Sequence, residues 1–268
     1  MKISSSKIRL NIIKNSNKTN TPHLGSCLSC VDLINCIYQR MNLKKIQDNS
    51  IDRDRFFLSK GHAAPALFIT LNLYNLISDE LLNDYGKDGS YLAEHPPAPG
   101  FINGIEAATG SLGHGLSLAV GVYQAAIIKN IHFNTYVLLG DGECNECTVW
   151  EAALYAGSRN FKNLCVLIDF NKWQATGRSN EINNLNNLKE KWESFGWHGC
   201  EINGHDTNEI NKSLDLVGKV DKPVAIIANT VKGKGVSFME DDNNWHYRIP
   251  SEEEVALAEK ELGFSNEK

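Results

Sequence analysis

Two sets of residues in this sequence have types and spacings that could bind a metal ion. Asp141 lies between two glycines at the end of an apolar run, and Asn171 follows the next apolar run. Mg²⁺ prefers about six oxygen ligands, several of which phosphate and water commonly supply. One carboxylate, one amide oxygen and a backbone carbonyl would form the protein half of such a site. Gly140 and Gly142 would let a phosphate approach the backbone closely.

Two Cys-x-x-Cys pairs offer the alternatives of a zinc site or a redox dithiol. Cys27 and Cys30 form the first pair, and Cys144 and Cys147 form the second. Zinc ribbons place two such pairs about 15–20 residues apart, whereas these lie in different halves of the chain. The first pair also falls in a predicted helix with an apolar stripe, where cysteine packs as a small hydrophobe. The sequence therefore favours packed thiols here and the carboxylate–amide pair as the metal site.

The elements that must position these residues alternate between strands and helices. Short, continuous apolar runs predict buried strands at residues 135–141, 163–171 and 222–235. Helical spacing predicts helices at residues 26–41, at residues 147–161 and from about Leu116 to residue 130. Residues 53–77 predict a short strand, a turn at Lys60 and Gly61, and a helix.

This alternation predicts an α/β fold, in which a parallel, twisted sheet has helices on both faces. Ligands of such sheets bind beyond the carboxyl ends of the strands. Asp141 and Asn171 would converge there if their strands are neighbours, and Asp169 lies near the same edge. The helix that follows residue 146 could point its N-terminus toward a bound phosphate.

Composition limits the classes of function. The 268 residues carry a net charge of −5, which does not indicate a nucleic-acid surface. The sequence contains no run of 18 apolar residues, so it predicts no membrane span. The N-terminus has no long apolar core, so we predict no signal peptide, a cytoplasmic location and reduced thiols. Without repeats or a low-complexity linker, residues 1–268 are predicted to form a single domain.

The order of motifs along the whole chain resembles the transketolase family. Gly-Asp-Gly followed by a later Asn resembles the motif that many thiamine diphosphate enzymes share. The narrower transketolase pattern is carried by PHLGSCLS (22–29), RFFLSKGHAAPALF (55–68), EHP (94–96), GIEAATGSLGHGLSLAVG (104–121), LLGDGECNE (138–146) and VKGKGVSFMED (231–241). The last three resemble most the split transketolases, in which two chains share the work. The resemblance implies the thiamine diphosphate-binding fold.

The resemblance also implies a metal site and a cofactor. Asp141 and Asn171 would be side-chain ligands of Mg²⁺, for which Ca²⁺ could substitute, and the Trp173 carbonyl would be a third ligand. Gly142 would face the diphosphate of the bound thiamine diphosphate, and His62 would donate a hydrogen bond to it.

Further cofactor contacts follow from the same motifs. Gly110 and Leu112 would line the thiamine diphosphate. Glu146 matches an acidic residue at the family's subunit interface, and we group it with the cofactor-binding residues. The resemblance implies no chemistry for the VKGKG run, which we predict to be a mobile, solvated loop.

Three histidines are predicted to be catalytic. His23 and His95 would face the reacting centre and contact substrate oxygens, and His114 would line the same entrance. As neutral imidazoles, His23 and His95 could move protons near working pH. The alternative to a catalytic role is a structural hydrogen bond from each ring. Their places in matched motifs favour the catalytic role, least strongly for His114.

The implied activity is transfer of a two-carbon ketol unit from a ketose phosphate to an aldose acceptor. The family's activating glutamate and most of its substrate-phosphate contacts belong to another domain. We therefore predict that this chain is inactive without a C-terminal, pyrimidine-binding subunit, with which it would form an α₂β₂ assembly.

Several positions depart from the family pattern. Ser26 and Cys147 replace glycines, and Thr176 replaces an aspartate. Near the C-terminus Trp245, His246 and Pro250 keep the expected register, but Tyr247, Arg248 and Ile249 replace His-Gly-Ala. The expected histidine at residue 247 contacts diphosphate and substrate in the family, and tyrosine is a poor proton shuttle at neutral pH.

Three hypotheses about function remain open from the sequence. The first is an ordinary split transketolase. The second is a related enzyme that transfers a two-carbon unit to a keto sugar nucleotide in branched-sugar synthesis, which Tyr247 and Arg248 favour. The third is a non-catalytic interaction module with the same fold, against which Asp141 and Asn171 argue.

Overall fold

The fold is built on one parallel sheet. The computed structural model describes residues 3–264. Its five strands have the spatial order β1-β2-β3-β5-β4. The strands are β1 (Arg55–Leu58), β2 (Thr135–Gly140), β3 (Leu164–Phe170), β4 (His198–Asn203) and β5 (Val224–Asn229). All four pairings are parallel, which confirms the predicted sheet.

Helices cover both faces of this sheet. They are α1 (Ser5–Thr19), α2 (Leu24–Ser29), α3 (Val31–Arg40), α4 (Leu43–Gln47), α5 (Ala64–Leu73), α6 (Asp79–Asn83), α7 (His114–Ile128), α8 (Cys147–Ser158), α9 (Ser179–Ile182), α10 (Leu188–Ser194), α11 (Thr207–Leu214) and α12 (Glu252–Glu261). Successive strand residues point to opposite faces. Leu138 therefore packs with α1, α2, α3 and α5, while Leu139 packs with α7, α8 and α10. The predicted α/β architecture is confirmed.

Three elements differ from the predictions. The helix predicted over residues 26–41 is two helices, α2 and α3, because Cys30 leaves the helical conformation at φ −96° and ψ 2°. Helix α7 begins at His114, two residues before the predicted start, after Gly113 at φ 83°. Strand β4 was not predicted, since it is an edge strand whose side chains alternate between buried and exposed. No helix of residues 3–264 is long and apolar enough to cross a membrane.

Candidate active site

The carboxyl ends of β2 and β3 bring the predicted metal ligands to one edge. Gly140 pairs with Asp169 in the parallel register, so the residues that follow each strand lie side by side. Asp141 opens a 3-10 turn directly after β2, and Asn171 directly follows β3. Both side chains are buried and line the same cavity. The convergence that the sequence predicted is confirmed.

Asp141 is held in place by three donors. Its Oδ1 accepts from the Gly142 amide at 2.9 Å, and its Oδ2 accepts from the Lys172 amide at 2.9 Å and the Ser179 hydroxyl at 2.8 Å. Burial raises the pKa of Asp141 to about 6, despite these hydrogen bonds. A cation at this carboxylate would stabilise its charged form.

Asn171 is oriented by the buried residues around it. Its Nδ2 donates to the Ser29 hydroxyl at 3.4 Å and to Asp169 Oδ2 at 3.3 Å. Its Oδ1 accepts from the Trp173 amide at 3.0 Å. This donor set of carboxylate and amide oxygens suits Mg²⁺ or Ca²⁺ with an anion completing the shell.

The cavity at this edge has a volume of about 340 Å³. Nearly all the residues predicted from the motifs line it: His23, His62, His95, Gly110, Leu112, Asp141, Gly142, Glu146, Asn171 and Trp173. Gln174 also lines the cavity, and its buried Nε2 has no hydrogen-bond partner among the described residues. An unpaired donor in this wall is suited to an acceptor such as a phosphate oxygen.

His114 does not line this cavity. Its ring is exposed, with Nδ1 3.1 Å from the Leu112 carbonyl oxygen. It borders a separate, shallow depression with Thr109 and Leu118. The expectation that His114 lines the same entrance is therefore not supported, because α7 begins at this residue and carries its ring away from the cavity.

Glycines allow close approach of the loops around the cavity. Gly110 has φ 150°, and a Cβ on it would lie 2.9 Å from the His95 ring. A Cβ on Gly61 would lie 2.7 Å from the Thr109 backbone. Any larger residue at these two positions would force the His62 and His95 segments apart.

Glu143 joins three of these segments and was not singled out from the sequence. Its Oε1 accepts from the Gly113 amide at 2.8 Å and the Ser59 hydroxyl at 2.6 Å, and its Oε2 accepts from the Gly140 amide at 2.8 Å. Burial raises its pKa. No feature of the sequence distinguishes Glu143, which links these segments, from an ordinary acidic residue.

Three imidazoles meet on one side of the cavity. The His23 ring centroid lies 5.5 Å from that of His62 and 4.9 Å from that of His246. Burial lowers the pKa of His23, lowers that of His62 well below the usual range, and lowers that of His246 to about 3. These rings are therefore neutral at pH 7.

The third imidazole beside the cavity belongs to His246 and not to the residue at position 247. Its ring lines the cavity, and its carbonyl oxygen accepts from the His23 amide at 2.8 Å. Tyr247 is 64% exposed and lines an open depression next to the cavity, with Arg248 and Ala175. The sequence left the place of Tyr247 open, and the structure puts its ring outside the cavity, which the three imidazoles still line.

Two buried lysines lie close to the cavity and differ in their partners. Lys60 forms an ion pair with buried Asp169, which also accepts from the Ser29 hydroxyl at 2.5 Å. Lys232 is 1% exposed, and its ammonium donates to Asn243 Oδ1 at 2.6 Å and lies 3.2 Å from His246 Nδ1.

No carboxylate of residues 3–264 lies within ion-pair distance of Lys232. Burial, followed by the charge of Lys60, lowers the pKa of Lys232 to about 8. From farther away, the carboxylates of Asp141, Asp169 and Asp242 oppose this by raising that pKa. A buried ammonium without an ion-pair partner is costly, so an anion bound near His246, which separates Lys232 from the cavity, would be stabilised. The prediction that the VKGKG run is solvated is wrong at Lys232, whose side chain is buried.

The cysteines have the burial of packed thiols. Cys27, Cys30 and Cys144 are buried, whereas Cys147 is exposed at the start of α8. Burial raises the pKa of Cys30 to about 12, which disfavours the thiolate that zinc binding requires. Within residues 3–264 no three His, Cys, Asp or Glu side chains form a cluster that could hold a metal.

Comparisons with known proteins identify the family of this chain. The family model described as "Transketolase, thiamine diphosphate binding domain" matches residues 2–268. The chain is 36% identical to an apulose-4-phosphate transketolase subunit of Phocaeicola vulgatus, over 100% of this chain and 95% of that protein. It is 38% identical to a 6-deoxy-6-sulfo-D-fructose transketolase subunit of Clostridium sp., over 95% of this chain and 94% of that protein.

Longer transketolases match over part of their length. Human transketolase is 32% identical over 92% of this chain and 39% of its own. The transketolase structure from Campylobacter jejuni superposes with a TM-score of 0.87 at 30% identity, covering 97% of this chain and 42% of that one. With a family model matched along nearly its whole length, this chain belongs to the transketolase family, as its thiamine diphosphate binding domain.

Proposed function

We propose that this chain is the N-terminal subunit of a two-chain transketolase, a transferase that moves a two-carbon ketol unit between sugars. One observation carries the proposal: the buried carboxylate of Asp141, suited to a cation, lines the cavity, and the buried Lys232 ammonium, which has no ion-pair partner within residues 3–264, lies directly behind the His246 ring that also lines it. A metal-bound diphosphate satisfies both groups at once. Two relatives that match along almost their full length are named as subunits of transketolases, which supports the two-chain form.

In this proposal the strand-end residues hold the metal ion. Asp141 and Asn171 supply side-chain oxygens, and Trp173 supplies its carbonyl oxygen to Mg²⁺, with Ca²⁺ as a possible substitute. His62, Gly142 and Lys232 bind the diphosphate, and Gly110 and Leu112 line the rest of the cofactor. Thiamine diphosphate, when bound, supplies the nucleophilic carbon and the electron sink for carbon–carbon cleavage.

The histidines handle protons at substrate oxygens. His23 is a neutral ring beside the cavity, and its nitrogen atoms can donate to or accept from a hydroxyl or carbonyl oxygen. His95 lies against Gly110 on another part of the lining. We propose that these two rings orient the ketose and move protons as its carbon–carbon bond is cleaved. His246 is a third ring in reach of the same substrate.

The proposed partner is a C-terminal, pyrimidine-binding subunit. Helices α7 and α8 expose large apolar side chains to solvent, and α8 starts beside Glu146 at the rim of the cavity. These side chains are Leu118, Ile127, Ile128, Leu154 and Tyr155. Exposed apolar groups of this kind commonly mark an interface. We propose an α₂β₂ assembly in which residues 1–268 form one domain; the cytoplasmic location stays a prediction.

The proposed donor is a ketose phosphate, and the proposed acceptor is an aldose. The alternative acceptor, a keto sugar nucleotide, draws support from one feature. The open depression lined by Tyr247, Arg248 and Asn244 meets the cavity at Ala175 and leaves room for a longer substrate. The third hypothesis, a non-catalytic module, has no such support, because the proposed metal ligands and the three neighbouring imidazoles line one cavity.

Co-expression with the partner subunit tests the proposal. The purified complex is incubated with thiamine diphosphate, Mg²⁺ and a panel of ketose phosphate donors, with aldoses and keto sugar nucleotides as acceptors, and mass spectrometry detects products two carbons longer. We expect product only when both chains are present. Product from this chain alone, or none from the complex with any pair, would contradict the proposal.

A further inference from the structure

A histidine remote from the cavity contacts the loop that carries Lys232. His205 lies in the connection between β4 and α11. Its Nε2 accepts from the Val231 amide at 2.9 Å. Its Nδ1 lies 2.8 Å from Oδ2 of Asp32, a carboxylate on α3. The ring therefore bridges α3 to the backbone immediately before Lys232.

The two partners of His205 determine its tautomer. A backbone amide can only donate, so Nε2 must carry the lone pair that accepts from Val231. Nδ1 must then carry the proton and donate to Asp32. Asp32 is in turn bound by Arg9, whose Nη2 donates to Oδ2 at 2.5 Å. The hydrogen bond from His205 and the charge of Arg9 hold the pKa of Asp32 low although its burial opposes this.

The same loop is fixed on its other side by backbone contacts. The Gly233 amide donates to the Gly25 carbonyl oxygen at 2.9 Å, and the Asp241 amide donates to the Lys232 carbonyl oxygen at 2.8 Å. A Cβ on Gly25 would lie 3.0 Å from the Lys232 side chain, which packs closely over α2. The backbone on both sides of Lys232 is therefore held, through Val231 by His205 and through Gly233 by α2.

We infer that His205 is a positioning residue for the diphosphate: by holding the Val231 amide, it fixes the backbone that places the Lys232 ammonium against the His246 ring, which lines the cavity. This inference rests on the proposed function, because it assigns Lys232 to the diphosphate. His205 itself touches neither cofactor nor substrate. It acts through one hydrogen bond and through the tautomer that Asp32 imposes.

Two substitutions separate the two hydrogen bonds of the ring. The amide of His205→Asn can still donate to Asp32 from near the Nδ1 position, but it does not reach Val231. The longer His205→Gln can place its carbonyl oxygen near the Nε2 position and accept from Val231. His198→Asn, on β4, is the matched control for loss of an imidazole from the same part of the fold.

The experiment measures the dissociation constant of thiamine diphosphate by calorimetry at fixed Mg²⁺, on the full chain purified with its partner subunit. We expect His205→Asn to weaken binding about tenfold and His205→Gln to weaken it less than about threefold. His198→Asn should leave it unchanged. Thermal unfolding of each variant reports the structural effect separately.

A double-mutant cycle with Lys232→Met decides whether the effect passes through Lys232. We expect His205→Asn to have no further effect on affinity once Lys232→Met is present. An equal loss of affinity on His205→Asn with and without Lys232→Met would overturn the inference. An equal loss of affinity for His205→Asn and His205→Gln would also overturn it. So would a variant that changes the unfolding temperature without changing the affinity. If Lys232→Met alone leaves affinity unchanged, the inference is also overturned. Ketol transfer by the wild-type complex tests the proposed function independently of these results.

Discussion

The two sides of the cavity differ in how their buried charges are compensated. On the strand-end side, Lys60 has Asp169 as its counter-ion, and Asp141 accepts three hydrogen bonds. On the side formed by the loop after β5, Lys232 has amide and imidazole contacts but no counter-ion within residues 3–264. The buried lysine of the strand-end side is thus compensated within the chain, whereas the described residues supply no ion-pair partner for the buried lysine of the loop side.

The largest effect that tests this comparison is on stability. Lys60→Met would leave Asp169 buried without its partner, and breaking a buried ion pair costs about 3–5 kcal/mol. Lys232→Met removes a buried charge that has no counter-ion, so it should not lower the free energy of unfolding of the cofactor-free chain. Urea denaturation of the two variants measures both values. A comparable loss in the two would show that the lysines are equivalent.

The next effect is on metal-dependent binding. Asp141→Ala removes the carboxylate that faces the proposed Mg²⁺, and we expect thiamine diphosphate affinity to fall by about a hundredfold or more. Ser179→Ala removes only one donor to that carboxylate and should cost far less. Calorimetry on the complex measures both. Unchanged affinity in Asp141→Ala would contradict a metal site at the strand-end side.

Lys232 should give a smaller effect with a distinct pH dependence. We expect Lys232→Met to weaken thiamine diphosphate binding about tenfold at pH 7. Because the pKa of Lys232 is lowered to about 8 in the folded chain, its ammonium loses its proton above that pH, and wild-type affinity should fall there. The Met variant should lack this fall. Parallel affinity profiles in the two proteins would contradict an anion at Lys232.

The same lowered pKa fixes the sign of the effect on stability. Between about pH 8 and the ordinary lysine pKa of 10.5, the unfolded chain binds more protons at Lys232 than the folded chain does. The wild-type free energy of unfolding should therefore rise with pH in this window relative to Lys232→Met. Denaturation of both cofactor-free chains at several pH values measures the difference, and a fall would contradict the burial of an ammonium.

The smallest effect belongs to the cysteines. Replacing both Cys144 and Cys147 with Ser should leave metal content and activity near wild type, because the proposed metal ligands are oxygen atoms. Elemental analysis of the purified complex measures bound zinc and magnesium. A loss of bound zinc on this double substitution would instead support a zinc site at the cysteine pair.

The same two sides differ in how far the sequence predicts them. Asp141 and Asn171 follow continuous apolar strands, and neighbouring parallel strands end at one edge, so local pattern is enough to place them. Long-range backbone contacts place Lys232 and His246 beside the cavity: the neighbouring Gly233 amide donates to Gly25, and the His246 carbonyl oxygen accepts from the His23 amide. Such contacts leave no periodic signal, and a glycine- and lysine-rich run has the composition of a solvated loop.

The sequence also predicts elements better than it predicts their ends and edges. The runs that become β2, β3 and β5 are buried on both faces and have an unambiguous pattern. The edge strand β4 contains Gly199 and Glu201 and lacks that pattern. His114 matched a motif, but its orientation depends on where α7 begins, which Gly113 determines.

The central claim is that both sides together hold a diphosphate bridged to a divalent metal ion. The most direct measurement is a calorimetric titration of thiamine diphosphate into the wild-type complex, with Mg²⁺ and again with a chelator. We expect tight binding with Mg²⁺ and a large loss of affinity in the chelator. Equal affinity under the two conditions would contradict it.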